Sequence, residues 1–186
     1  MRTITYGGAV SLDGFLTGPK GSLDWLHYSK DVHDVMAAYW KKIDTVLMGR
    51  KTYDVSAAAG GAAKKPKKTR SAKRVVPPKR TYVFSRTLKS IADPGVELVP
   101  GDAVEFVRSL KRRPGREICL MGGGELAQSL LGAGLVDEVR LNIHPVLLGS
   151  GIPAFRDPGH RLRLALFECR RIEGGCILAG YKVLPS

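Results

Sequence analysis

With 186 residues, 44% of them hydrophobic, the chain is long enough for one sizeable core, and its length favours a single domain over residues 1–186. No apolar run approaches the roughly 18 to 20 residues that a membrane-spanning helix needs, and residues 1–14 lack the basic-then-apolar layout of a secretory signal. These features exclude a membrane protein and predict a cytoplasmic one. Three scattered cysteines fit free thiols in a reducing compartment.

The formal net charge of +13 is concentrated in one segment. Residues 57–80 hold nine Lys and Arg and no acid, which leaves a charge of +4 for the rest of the chain. An Ala, Gly, Pro and Lys composition offers little to bury, so we predict a flexible, solvated basic loop. The segment has no aromatic residue for base stacking, so nucleic acid is not the expected partner. Contact with nucleic acid or another polyanion is the alternative.

The first predicted elements alternate between strand and helix. Residues 3–16 open as a strand that turns at Asp13-Gly14. Residues 29–43 have apolar side chains at spacings of three and four, which predicts a helix that Ser29 can cap. Residues 44–49 form a buried strand, and a second helix begins at residue 50.

The second half of the chain continues this alternation, which is typical of an α/β domain with a largely parallel sheet. Asp102 stands where a helix cap is expected. We predict strands at 80–85, 96–101, 117–124 and 137–148, helices at 102–113 and 125–134, and a closing antiparallel hairpin of 162–172 and 176–184.

A run of three glycines stands at one strand-to-helix junction, in the segment CLMGGGELAQSLL (119–131). Glycines allow a tight turn and a close approach of the backbone to a ligand, and the first N–H groups of the helix favour an anion. Gly122, Gly123 and Gly124 therefore predict a cradle for a pyrophosphate. A plain tight turn is the alternative.

Two other junctions offer groups that bind anions. Gly49 is followed by Arg50, Lys51 and Thr52 at a helix start, and the strand at 80–85 ends in a hydroxyl and a guanidinium, Ser85 and Arg86. In open α/β folds, ligands bind at the carboxyl ends of the parallel strands. Together the three junctions predict a dinucleotide with an extra phosphate, which is NADPH rather than NADH.

Five blocks resemble, in order, those of the dihydrofolate-reductase-like superfamily: AVSLDGFL, VLMGRKTYD, YVFSRTL, LMGGGELAQSLL and DEVRLNIHPVLLGSGIPAF. The most similar branch is the reductase domain of bacterial bifunctional riboflavin-biosynthesis deaminase-reductases and its stand-alone relatives. This resemblance implies a three-layer α/β fold with a mostly parallel twisted sheet, helices on both faces and a C-terminal antiparallel hairpin. It also implies NADPH as hydride donor and a homodimer.

The resemblance assigns roles to residues at the three junctions. Arg50 and Thr52 would hold the adenosine-side phosphates, and Ser85 and Arg86 the 2′-phosphate. Backbone N–H groups from Gly122 to Glu125 would hold the pyrophosphate. The backbone of Ala9 and Leu16 would meet the nicotinamide carboxamide. The full set of candidate cofactor residues is Ala9, Leu16, Gly49, Arg50, Lys51, Thr52, Ser85, Arg86, Gly122, Gly123, Gly124, Glu125 and Leu126.

The substrate side is less defined. Dihydrofolate reductases place a proton-donating carboxylate early in the first helix, and we assign that role to Asp31. Counting forward from Trp25 gives Lys30 or Asp31, whereas counting back from Gly49 gives His33 or Asp34, so Asp34 and the absence of any side-chain donor stay open. The candidate substrate residues are Asp13, Trp25 and Asn142, and His144 is interpreted as a strand-end residue.

The zinc-binding deaminase domain of the bifunctional enzymes has no counterpart, because the cysteines at 119, 169 and 176 lack paired spacing. No metal is predicted. The leading hypothesis is an NADPH-dependent reductase of a small heterocyclic or carbonyl substrate, such as a pyrimidine or a pterin. Two alternatives are a nucleotide-binding module without turnover and a polyanion-binding protein that uses residues 64–80.

Overall fold

The computed structural model describes residues 1–58 and 79–185, so most of the predicted basic loop lies outside the described residues. The helices are α1 (Lys30–Lys42), α2 (Arg50–Ala58), α3 (Ala103–Arg112) and α4 (Gly124–Gly132). The strands are β1 (Ile4–Ser11), β2 (Phe15–Thr17), β3 (Ile43–Gly49), β4 (Arg80–Phe84), β5 (Val96–Val99), β6 (Glu117–Leu120), β7 (Glu138–His144), β8 (Ile152–Pro153), β9 (Leu164–Arg171) and β10 (Ile177–Val183).

Eight strands form one sheet in the order β5-β4-β3-β6-β1-β7-β10-β9. The six strands from β5 to β7 are parallel, whereas β10 is antiparallel to both β7 and β9. The predicted closing hairpin is therefore confirmed as β9 and β10. β2 and β8 pair in a separate two-stranded sheet, which the sequence did not predict because β8 has only two residues.

Two helices begin at the predicted caps. Ser29 Oγ accepts a hydrogen bond from the backbone N–H of Val32 at 3.2 Å. Asp102 Oδ1 accepts from the N–H groups of Val104 and Glu105 at 2.7 and 3.1 Å. Each cap satisfies N–H groups that the first turn of a helix cannot pair internally, which is why a local sequence signal fixes these boundaries.

The core has one cluster on each face of the sheet. The larger cluster joins β1, β4 and β6 to α3 and α4, with Phe106 packed against Tyr82 and Phe84. The smaller cluster includes Cys119 and joins β3, β4 and β6 to side chains of α1 and α2. The predicted three-layer α/β fold with helices on both faces is confirmed. No helix among the described residues is long and apolar enough to cross a membrane.

Candidate functional site

Six parallel strands end at one edge of the sheet. In sheet order, their last residues are Val99, Phe84, Gly49, Leu120, Ser11 and His144. The three junctions predicted from the sequence therefore lie on adjacent strands, β4, β3 and β6, although they are separated along the chain. Such an edge is where open α/β folds bind ligands.

The glycine run turns sharply between β6 and α4. Gly122 and Gly123 have φ of +131° and +97°, a region that disfavours side chains. A Cβ on Gly123 would lie 3.1 Å from the Cα of Gly49, and Gly49 N–H donates to Gly122 O at 3.3 Å. Two backbone turns thus touch because neither has a side chain. Leu126 of α4 is buried in the core, whereas the Glu125 side chain is exposed.

Gly124 has a different reason to be glycine. A Cβ there would lie 2.9 Å from Nε of Arg156, so the arginine stem crosses the first residue of α4. The backbone around Arg156 is held by Tyr6, whose hydroxyl donates to Ala154 O, and by Gln128, whose amide donates to Asp157 O. Arg156 has no ion-pair partner among the described residues. Arg156 could not be predicted as part of the site from local residues, because it lies 32 positions beyond the glycine that it covers.

The β3 and β4 junctions are joined by a threonine that was not predicted. Arg50 Nη1 donates to Thr87 Oγ1 at 2.9 Å. Ser85 Oγ accepts from the N–H groups of Thr87 and Leu88 at 3.3 and 3.1 Å, so it shapes the turn after β4. The Arg86 and Lys51 side chains are exposed, and Thr52 Oγ1 lies 3.5 Å from the position of a Cβ on Gly122.

The turn between β1 and β2 borders the same edge. Ala9 is half-buried and pairs with Asn142 of β7, and a Cβ on Gly8 would lie 3.9 Å from the Leu16 side chain. Asp13 accepts from the N–H groups of Leu148 and Gly149 at 3.1 and 2.7 Å. Hydrogen bonds from Ser11 and from these two N–H groups hold the pKa of Asp13 below its ordinary value. Asp13 therefore anchors the loop after β7, and its contact with substrate stays a prediction.

Asn142 and His144 project from the α1 face of the sheet. Thr5 of β1 pairs with Cys119 of β6 and with Glu138 of β7, so these three side chains point to the same face of the sheet. Because side chains alternate along a strand, Asn142 and His144 share the face of Glu138, which is the face that carries the Cys119 cluster. His144 is 2% exposed and Asn142 Nδ2 lies 3.1 Å from its Nε2. The Trp25 ring stands edge-on to the His144 ring with centroids 5.2 Å apart.

The hydrogen bonds of His144 define its tautomer. Burial, and then the nearby His27, lower the pKa of His144 and favour the neutral ring. Nδ1 receives the backbone N–H of His27 at 3.4 Å and lies 3.5 Å from the Cys176 thiol, so Nδ1 is the acceptor and Nε2 carries the proton. An Nε2–H donor needs Asn142 Oδ1 opposite it, the atom that is otherwise buried without a partner among the described residues. The amide amino group of Asn142 then takes the other, buried position, which has no hydrogen-bond partner among the described residues.

The candidate carboxylates of α1 lie at its exposed N-terminal turns. Asp31 Oδ2 accepts from the backbone N–H of Glu173 at 3.3 Å, in the turn between β9 and β10. Asp34 pairs with Lys30 at 2.6 Å, and the His33 side chain is exposed. Among the candidate carboxylates, Asp31 is therefore the one that contacts the turn between β9 and β10, on the side of the sheet that β7 and β10 form. Its role as proton donor stays a prediction.

Solved structures with the same architecture define the class of fold. A putative riboflavin biosynthesis protein from Shewanella sp. PV-4 superposes with a TM-score of 0.81 at 26% identity, covering 100% of both chains. Dihydrofolate reductase from Enterococcus faecalis, complexed with NADP(H) and RAB-propyl, gives 0.67 at 14% identity, over 97% of this chain and 96% of that one. The fold is dihydrofolate-reductase-like.

Sequence comparison places the chain in a narrower group than the fold does. The family model of the RibD C-terminal domain matches residues 2–178, and the chain belongs to this family. It is 36% identical to the uncharacterized protein YyaP of Bacillus subtilis (strain 168), over 97% of this chain and 94% of that protein. A deaminase/5-amino-6-(5-phosphoribosylamino)uracil reductase from Thermotoga maritima gives a TM-score of 0.71 at 18% identity, covering 98% of this chain and 57% of that one. The predicted resemblance is confirmed.

Proposed function

We propose that the protein is an NADPH-dependent reductase of a small heterocyclic or carbonyl substrate. The observation that carries this proposal is the meeting of the Gly49 turn and the Gly122–Gly124 turn on adjacent strands, flanked by the Ser85–Thr87 turn. Membership of the RibD C-terminal domain family supports it, as does the reductase activity in the description of two structural neighbours.

The groups at this edge fit a dinucleotide with an extra phosphate. The Gly122–Gly124 turn leads directly into the first turn of α4, where free N–H groups favour an anion. Arg156 adds a cation there. Arg50 and Thr52 stand at the start of α2, and the exposed Arg86 follows the Ser85 turn, which suits a monoester phosphate.

The substrate-binding half of the proposed site is formed by Ala9, Trp25, Asn142 and His144. NADPH, when bound, supplies the hydride. The chain would orient both partners and exclude water. Asn142, whose amide lies 3.1 Å from His144 Nε2, is the polar side chain of this part of the site and the candidate contact for a carbonyl oxygen on the substrate. Asp31 would supply a proton directly or through water.

The cofactor proposal predicts that Arg86→Ala removes the preference for NADPH. Loss of a charge-assisted bond to the 2′-phosphate costs about 1.5–3 kcal/mol, so we expect NADPH affinity to fall roughly 10- to 150-fold. NADH lacks that phosphate and should bind the variant as it binds the wild type. Titrations with both cofactors, followed by nicotinamide fluorescence, measure this.

Lys89→Ala is the matched control, because it removes an exposed cation three residues away. It should leave both affinities unchanged. If Arg86→Ala and Lys89→Ala lowered the affinity for NADPH equally, the loss would reflect the general positive charge of the surface and not a contact with the 2′-phosphate. Absence of binding by the wild type would overturn the reductase proposal, and binding without NADPH oxidation across pyrimidine, pterin and simple carbonyl substrates would favour the nucleotide-binding module.

Arg156→Ala should weaken NADPH and NADH equally, by about tenfold, because both carry the pyrophosphate that this cation faces. Gly124→Ala should have a similar effect without destabilising the fold, since Gly124 is helical and only the flexible arginine must move. The double variant should bind no more weakly than Gly124→Ala alone, because the first change already displaces Arg156.

Arg161→Ala, another exposed arginine in the segment after β8, controls for general charge and should change neither affinity. Fully additive losses in the double variant would contradict the proposed contact between Arg156 and the first turn of α4. A loss limited to NADPH would place Arg156 at the 2′-phosphate instead.

A further inference from the structure

The opposite edge of the sheet, where the parallel strands begin, carries two adjoining surface cavities that are wide open to solvent, with volumes of about 520 and 300 Å³. Both are lined by Met1, Arg2 and Gly115, and neither includes a residue of the glycine turns. Their cationic side chains are Arg2, Lys42 and Arg116 in the first cavity, and Arg2, Lys111, Arg112 and Arg113 in the second. We call these residues the basic edge.

Some of these charges are already neutralised within the fold. Arg2 forms an ion pair with Asp44, and Lys111 binds Asp137 at 2.6 Å. Lys42, Arg112 and Arg113 are exposed and have no ion-pair partner among the described residues. The positive charges without an ion-pair partner among the described residues therefore lie at the C-terminal ends of α1 and α3, on either side of Met1 and Arg2.

Arg116 is partly committed to structure, because its Nη1 donates to Lys41 O at 2.9 Å. Among the described residues, Glu117 is the one acidic residue that lines either cavity. The positive charge is thus extended across several elements and does not converge on one point.

The composition of the basic edge indicates what it can bind. Its spread of free cations matches a linear array of phosphates better than a single small anion. No aromatic side chain from residues 1–58 or 79–185 lines the cavities, so these residues offer bases nothing to stack on. In the part of the chain that the structure describes, Met1 is the one large exposed apolar residue there, whereas a membrane-binding face needs a broad apolar surface.

We propose that the basic edge binds the phosphate backbone of duplex nucleic acid without reading its sequence. The site lies at the far edge from the proposed cofactor crevice, so the two could be occupied together. The sequence predicted a solvated basic loop at residues 57–80, whereas the residues of the basic edge lie outside that segment.

The test compares two variants that each lose three charges. Lys42→Gln/Arg112→Gln/Arg113→Gln alters the basic edge, and Arg50→Gln/Lys51→Gln/Arg86→Gln alters the glycine-turn edge. Binding of a fluorescein-labelled duplex is followed by anisotropy from about 50 to 200 mM NaCl. Each lost phosphate contact reduces the slope of log affinity against log salt by about 1, so the basic-edge variant should lose about 3 and the other variant less than 1.

Duplex DNA and duplex RNA of one sequence form the two arms, and binding of either supports the proposal because the backbone chemistry is shared. Equal slopes for the basic-edge variant and the wild type would overturn it. Binding to phosphatidylserine vesicles with no binding to duplex would overturn it in favour of a membrane surface. Unchanged NADPH affinity and unfolding midpoint in the basic-edge variant establish that the fold is intact.

Discussion

Gly123→Ala is expected to lower the free energy of unfolding by about 2–4 kcal/mol and to abolish cofactor binding. Gly123 is the N-cap residue of α4, with φ of +97° and ψ of 92°, where an alanine is strained. Its Cβ would also lie 3.1 Å from the N and Cα atoms of Gly49. These are backbone atoms of β3, so the clash can be relieved only by separating the two turns that form the proposed crevice.

Gly134→Ala is the matched control for this prediction. Gly134 also has a positive φ, +65°, but nothing lies within 4 Å of its Cβ position. It should lose only about 1 kcal/mol, the cost of a left-handed residue without a clash. Urea unfolding measures both values. Equal losses in the two variants would show that the approach of Gly49 to Gly123 is not a tight one.

The glycine run shows what the sequence could and could not predict. A strand-to-helix junction with three glycines indicates a turn and an anion site, and both readings need only local residues. The sequence cannot distinguish the glycines from each other. Gly122 and Gly123 are needed for their backbone angles, whereas Gly124 makes room for Arg156, a residue brought there by the chain after β8.

Elements were predictable where their determinants are local. The caps at Ser29 and Asp102 and the closing hairpin depend on neighbouring residues, and the structure confirms them. The strand order could not be derived from local residues. It places β6 between β3 and β1, through pairings that join residues more than 70 positions apart. The resemblance to a family implied a mostly parallel sheet, but the strand order itself was not predicted.

The substrate side was harder to predict because its residues carry weak individual signals. A histidine before a proline at a strand end is an ordinary feature, so His144 was passed over. The period of two along β7 could have found it, because it puts Asn142 and His144 on one face. The contact of Asp31 with the Glu173 N–H, in contrast, joins residues 142 positions apart and leaves no local trace.

The strands that carry Ala9 and Asn142 are anchored at their other ends by one buried amine. Lys111 is 6% exposed, and its Nζ donates to Leu135 O at 3.0 Å and to both carboxylate oxygens of Asp137 at 2.8 and 2.6 Å. Asp137 Oδ2 also accepts the N–H of Ile4 at 2.7 Å, at the start of β1. The Lys111–Asp137 pair thus links α3 to the N-terminal ends of β1 and β7.

Lys111→Met keeps most of the side-chain volume but leaves Asp137 without its cation. We expect a loss of about 2–4 kcal/mol in urea unfolding, at the lower end of values for buried ion pairs because Asp137 is 41% exposed. Lys111→Met/Asp137→Asn should be more stable than Lys111→Met, because a neutral amide oxygen still accepts from Ile4 and no charge is left unpaired. The single variant Asp137→Asn completes the comparison. A double variant that loses the sum of the losses of Lys111→Met and Asp137→Asn would show that the cost comes from lost packing, and the electrostatic anchor of β1 and β7 would then be rejected.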